Sequence, residues 1–181
     1  YHFSWRERAD ERFDNVRVMR DEQFAYHKNY AHFAPNGQYL AYMHNMKATG
    51  AWERHHQAGK TNAVTGRFFE PRPSEEFYDN FKDFHNIDNQ IDDPLHQTKI
   101  KELKKELRRQ QLKYFDSGLM PEEMRNRIIK EKKTTVYAFV RDPKLYPLAK
   151  YLDYADLALT RNKKKLKILT KGLSSEDPVI R

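Results

Sequence analysis

The chain has 181 residues, a formal net charge of +8, 38% apolar, 33% charged and 13% aromatic residues, and no cysteine. That length suits one domain, or one domain with a short helical extension, at roughly 100 to 200 residues per domain, and the aromatic content argues for a folded core rather than a disordered chain. The lack of cysteine excludes disulfides, thiolate metal sites and cysteine nucleophiles in this stretch, no apolar run approaches the roughly 18 residues of a membrane span, and the positive charge biases the surface toward polyanions: nucleic acid, anionic lipid, or sulfated and phosphorylated sugars.

Tyr1 to Asp10 lack the apolar centre of a signal peptide, and the text opens at YHFSWRERADER and stops at DPVIR, just after what reads as a new helix start. Both ends are expected to be cut from a longer chain, with any export signal upstream. From Phe13 to Tyr30 apolar and polar residues alternate, with Val16 and Val18 on one face and Phe24, Tyr26 and Tyr30 on the other. This period of two predicts a β-hairpin turning at Asp21 and Glu22. Residues 35 to 73 begin with the turn signal Pro35, Asn36, Gly37 and run through two helix-compatible pieces, Gln38 to Met46 and Ala51 to Ala58. They close at Pro71 and Pro73, as a long insertion between strands. A further strand is predicted at 74 to 79, where Phe77 and Tyr78 stand.

The clearest predicted element is a helix from Pro94 to Ser117, with Asp93 to accept from the first-turn amides and Gly118 for a left-handed exit. Ile100, Leu103, Leu107 and Tyr114 form its apolar stripe, and Lys101, Lys104, Lys105, Arg108 and Arg109 occupy the rest. A second helix starts at Pro121, with Glu122 and Glu123 offsetting the helix dipole. Beyond Pro147 two more helices are predicted, separated near Arg161 and Asn162 and ended by Gly172. The fold class read from this order is α+β: a small antiparallel sheet of three to four strands packed by a long amphipathic helix, then an all-helical C-terminal extension. The expected division is residues 1–120 and 121–181.

No residue pattern assembles a catalytic site. His55 and His56 are adjacent, with His27, His32 and His44 upstream, but neighbours on a helix point about 100° apart, unlike two ligands at i and i+4. None of the serines lies in a GxSxG turn, and the glycines are scattered singly, without a phosphate loop. Lys163, Lys164, Lys165 and Lys167, or the basic face of the long helix, can neutralise phosphates, yet they equally suit an ordinary solvated helix face.

The ordered set ERADERFDNVRVMRDEQFAYHKNY, then a His- and Trp-bearing insertion, then FFEPRPSEEFYDNFKDFHNIDNQIDDPLHQTKIKELKKEL resembles the C-terminal subdomain of sulfatases of the alkaline-phosphatase-like superfamily. Within it, the chain is similar to the branch that includes heparan N-sulfatase and bacterial polysaccharide sulfatases. Val18, Arg20, Asp21, Tyr26 and Asn29 fit the family's strand-pair pattern R-x-V-R-D-x-R-Y-K-Y-I-x-N. Glu76, Phe77, Tyr78 and Asp79 fit its E-L-Y-D pattern, with Asp83, Asn89 and Asp93 following. The likeness covers about residues 6 to 120 and departs at Phe84 and His85, where the family has an Asp-Pro turn.

The resemblance implies the non-catalytic C-terminal portion of a sulfatase, a sulfuric ester hydrolase acting on a sulfated polysaccharide, periplasmic or secreted. The formylglycine nucleophile, made from the Cys or Ser of a (C/S)-x-P-x-R motif, and the calcium ligands would then lie in a missing N-terminal domain. This chain holds neither, so it is expected to need no cofactor of its own and to be inactive alone. The implied partners are that N-terminal domain and the polysaccharide; neither nucleic acid nor membrane is implied. The insertion would contribute to the substrate cleft wall, with Trp52 for stacking on sugar, Arg54, His55, His56 and Lys60 for sulfate or carboxylate, and Asn62 for hydroxyls. The last forty residues, with LKILTKGLSSEDPVIR, resemble the start of a HEAT-type helical repeat. A second reading, from the +8 charge and the aromatics, is a polyanion-binding module for glycan or nucleic acid with no enzymatic role.

Overall fold

A computed structural model describes residues 1–160 and 162–181. They form two compact units, Tyr1–Leu107 and Arg108–Arg181. The first unit is built on a four-stranded antiparallel sheet in the order β1-β2-β3-β4, with β1 at His2–Ala9, β2 at Arg12–Arg20, β3 at Phe24–Asn29 and β4 at Glu75–Asp79. The fold is α+β.

The expected hairpin is β2 and β3, paired through Val18↔His27 and Met19↔Tyr26. Its turn is held by the Asp21 carboxylate, which accepts from the amides of Gln23 at 3.0 Å and Phe24 at 2.7 Å. The Phe77 segment joins the same sheet, with Tyr26↔Phe77 and His27↔Glu76 in register. β1 pairs with β2 through Phe3↔Met19 and Arg6↔Val16, and the register shifts between Arg6 and Arg8.

Side chains alternate across a strand, so the register sorts the sheet into two faces. One face presents Met19, Tyr26 and Phe77, all fully buried, to the stripe Ile100, Leu103 and Leu107 of a helix, with Phe3, Phe24 and Ile91 at the margin. That helix, α4, runs Gln97–Lys113 behind a 3₁₀ turn at Pro94–His96, whose first amides are capped by Asp93, which accepts from Leu95 N at 2.9 Å. Arg17 lies on the same side as Met19 and is fully buried, its guanidinium 2.7 Å from the Glu7 carboxylate. Glu75 closes this face. Burial opposes its ionisation, but hydrogen bonds from Lys104 Nζ at 2.7 Å and from the Tyr26 hydroxyl outweigh burial and hold the carboxyl below its ordinary value.

Two details of the long helix differ from the expectation. Its exit falls at Phe115, with φ of 55°, three residues before Gly118. Tyr114, expected on the apolar stripe, is 59% exposed, one residue past the end of α4 although its amide still bonds Gln110 O at 2.9 Å.

Between β3 and β4 the insertion folds into α1 (Ala41–His44), α2 (Lys47–Gln57), α3 (Ala63–Gly66) and a 3₁₀ turn at Arg67–Phe69. Gly37, in the expected turn, donates its amide to Phe68 O at 2.6 Å, and an added Cβ would stand 2.9 Å from that oxygen. Only glycine tolerates so close an approach.

The second unit is helical: α5 (Glu122–Lys132), α6 (Val136–Phe139), α7 (Leu148–Leu159) and α8 (Leu166–Gly172). Its core includes Phe139, Tyr146, Tyr151 and Leu152, with the rings of Tyr146 and Tyr151 edge-on at 5.2 Å. Glu122 and Glu123 occupy the first turn of α5 as expected. The separation expected near Arg161 and Asn162 lies between α7 and α8, with Arg161 itself outside the described residues. Among the described residues no helix is long and apolar enough to cross a membrane.

Candidate functional site

The face of the sheet turned away from α4 is not covered by a helix and carries mixed polar and apolar side chains. With the insertion standing at its rim, it lines an open cavity of about 620 Å³. The register sets the floor: Arg6, Val16 and Asn29 lie in one row, and Ser4, Val18, His27 and Glu76 in the next. Val16 and Val18 give the floor an apolar centre, with charge at either end.

At the β1–β2 end stands Asp14, 1% exposed, with three guanidiniums around it. Arg6 Nε is 2.7 Å, Arg12 Nε 3.1 Å and Arg72 Nη1 3.2 Å from its carboxylate oxygens. Arg72 is clamped further by the carbonyls of Asp14 at 2.9 Å, Ala31 at 3.2 Å and Ala34 at 3.2 Å. Burial lowers its pKa, Asp14 opposing the shift. Arg12 also donates to Asn36 Oδ1 at 3.2 Å, which ties the cluster to the turn that starts the insertion. Arg6 is the cluster's outward member, its side chain 49% exposed.

At the β4 end the Glu76 carboxylate accepts from Asn29 Nδ2 at 2.8 Å and from the Tyr78 hydroxyl at 2.8 Å. Burial, then the neighbouring Glu76 charge, push the Tyr78 phenol well above its ordinary pKa. It therefore stays protonated and remains a donor. His27 packs edge-on against Tyr78 at 5.5 Å. Its pKa is lowered, first because burial penalises the imidazolium and also through Arg20, while Glu76 pulls the other way.

The rim is aromatic. Trp52 of α2 stacks on Phe68 at 4.5 Å with 20° between the planes, and meets Phe69 edge-on at 5.0 Å. Arg67 lines the cavity from the 3₁₀ turn and donates to Ile87 O at 2.9 Å and Asn86 O at 3.4 Å, neutral acceptors that do not cancel its charge. Four arginines thus line the cavity against two carboxylates, Asp14 and Glu76.

Of the six insertion residues expected to meet substrate, Trp52 lines this cavity. His56 stacks on Phe69 at 4.8 Å, with Nδ1 3.0 Å from Thr61 Oγ1 and Nε2 3.3 Å from the Glu70 carboxylate. Asn62 caps α3, its side chain accepting from Val64 N at 3.0 Å and Thr65 N at 2.8 Å. Arg54, His55 and Lys60 are exposed on or just after α2. Sequence reasoning missed the Asp14 cluster and the Glu76–Asn29–Tyr78 set as sites. The one signal available was the hairpin alternation, which puts Asp14, Val16 and Val18 on a single face.

Among the described residues no three His, Asp or Glu side chains converge as a metal site requires. The donor set does not fit formylglycine either, since the chain has no cysteine and no S-x-P-x-R sequence.

No family model matches the chain. Over 119 residues it is 31% identical to the protein named Ulvan-active sulfatase of Formosa agariphila, a match that covers 64% of this chain and 20% of that protein. The chain therefore spans about a fifth of the length of the curated relative it matches. This distant, partial likeness marks a sulfatase-related region.

Proposed function

We propose that the chain is the C-terminal, non-catalytic portion of a sulfatase acting on a sulfated polysaccharide, and that it supplies part of the substrate cleft wall. The observation that carries this reading is a cavity with four arginines and an aromatic rim in a sulfatase-related chain. Guanidiniums suit sulfate and carboxylate because their planar donor forks match planar or tetrahedral oxyanions. Trp52 and Phe68 offer the flat apolar surface that sugar rings stack on. Arg54, His55, Lys60, His56 and Asn62 would extend the wall beyond Trp52. The similar protein is ulvan-active by name; only the broader class, a sulfated polysaccharide, is extended to this chain.

Sulfate-ester hydrolysis needs an activated nucleophile and a cation to offset charge on the sulfuryl oxygens. We place both, as formylglycine and calcium, on an N-terminal domain that would also be this chain's protein partner, in the periplasm or outside the cell. The helical unit would begin a HEAT-type repeat. Asp177, which accepts from Val179 N at 3.0 Å, supports a helix start there. The test is sulfate release from sulfated polysaccharides by the purified chain. None is expected, and release that survives repurification would refute the non-catalytic role.

A second reading is favoured by the exposed turn Lys163–Lys165 with Lys167: a polyanion-binding module. It requires an affinity whose logarithm falls linearly with the logarithm of salt and that is lost on removing those lysines.

A further inference from the structure

The open face of the sheet is polarised as well as cationic. Arg6 and Arg12 lie on β1 and β2, Val16 and Val18 in the middle, and Glu76 on β4, while Arg72 and Arg67 reach in from the segment between β3 and β4. β1 and β4 are three inter-strand spacings apart, about 14 Å at roughly 4.8 Å per spacing. A simple anion trap would not carry a carboxylate inside it, because a fixed negative charge repels the ligand. Glu76 nonetheless faces the cavity, held in place by Asn29 at 2.8 Å and Tyr78 at 2.8 Å. An oriented carboxylate of this kind is an acceptor for hydroxyl groups.

We propose that this face binds a short acidic glycan segment laid across the strands. Its sulfate or carboxylate meets Arg6, its apolar ring face rests on Val16 and Val18 beside the Trp52–Phe68 wall, and its hydroxyls donate to Glu76. The Asp14 carboxylate anchors Arg6, Arg12 and Arg72 so that the cationic end keeps its shape without ligand. The proposal rests on the cleft-wall reading, and adds to it the residues and the direction in which the segment lies.

The sign of one substitution separates this site from general attraction. Removing a negative charge from a basic protein strengthens nonspecific polyanion binding, whereas removing the acceptor that holds sugar hydroxyls weakens specific binding. The full chain is titrated by calorimetry with a heparin tetrasaccharide, its desulfated counterpart and inorganic sulfate, as wild type and as Glu76→Gln, Arg6→Gln and Lys163→Gln. Expected are saturable binding of the tetrasaccharide, at least about tenfold tighter than either other probe, weakening of about tenfold by Arg6→Gln and several-fold by Glu76→Gln, and little change with Lys163→Gln. Tighter binding by Glu76→Gln, equal losses for all three variants, sulfate binding as tightly as the tetrasaccharide, or no binding would each overturn the proposal.

Amide shifts of the wild-type chain give a reading that does not depend on any variant folding. Perturbations must concentrate at Ser4–Arg6, Val16–Val18 and His27–Asn29, and a pattern centred on α7 and α8 would contradict the site. Sulfate release bears on the cleft-wall reading by a separate measurement, so either can fail while the other stands.

Discussion

The two faces of one sheet divide the work of the first unit. The face under α4 buries Met19, Tyr26, Phe77, Ile100, Leu103 and Leu107 at 0 to 2% exposure, and among its polar members Arg17 and Glu75 are paired with Glu7 and Lys104. The opposite face keeps an apolar strip only two valines wide and gives the remainder to ionic and hydrogen-bonding groups around a cavity. Stability concentrates where water is excluded, and chemistry is left where water still enters. Substitutions on the two faces should therefore fail in different ways.

The largest effect is expected under the helix. Leu103→Ala removes a side chain with no exposed surface and should cost about 4 kcal/mol of unfolding free energy, since the surrounding strands and helix cannot collapse fully into the void. Denaturant unfolding checks this, and a loss under about 1 kcal/mol would show that the α4–sheet contact is not the core. Asp14→Ala comes next. It leaves Arg6, Arg12 and Arg72 facing one another without their shared anion, at a cost of about 3 kcal/mol, near the low end for a broken buried pair because Arg6 reaches solvent. Raised salt should recover part of that loss by screening the exposed guanidinium.

A smaller, pH-dependent term belongs to the open face. The His27 pKa is lowered by burial in the folded chain, so the unfolded chain takes up the proton first, near the ordinary value of about 6.5. The stability that neutral His27 confers is whole above that pH, and is lost as pH falls through the depressed folded value. His27→Gln should flatten this slope while leaving the separate acid loss from Glu75 and Asp79, both held below their ordinary values, at lower pH. An unchanged slope in the variant would assign the titration elsewhere.

The covered face was easier to read from sequence than the open one, for a physical reason. Apolar periodicity reports burial, so Phe24 and Tyr26, alternating against Val16 and Val18 of the other face, reveal a hairpin, and Ile100, Leu103 and Leu107 reveal the helix that packs on it. β1 escaped that reading because HFSWRERA is an edge strand with few apolar positions and a register shift between Arg6 and Arg8. Arg17 looks like a surface residue until Glu7 is brought beside it. The Asp14 cluster joins residues from 6 to 72, and nothing in local spacing announces that a proline-flanked Arg72 returns to the start of the hairpin. Trp52 of the insertion lines a cavity, but the insertion's internal wiring was not legible: the Asn62 cap and the His56–Thr61 bond depend on a turn whose shape only the folded chain sets.

The division between faces is tested most directly by measuring two quantities on two variants, unfolding free energy and heparin tetrasaccharide affinity for Leu103→Ala and Arg6→Gln. The expected result is a crossed pattern: Leu103→Ala loses several kcal/mol yet binds normally where it is folded, while Arg6→Gln, which leaves Asp14 paired with Arg12 and Arg72, costs no more than about 1 kcal/mol for the loss of a half-exposed pair and loses about tenfold in affinity. Stability and affinity falling together in both variants would contradict the separation of scaffold from site.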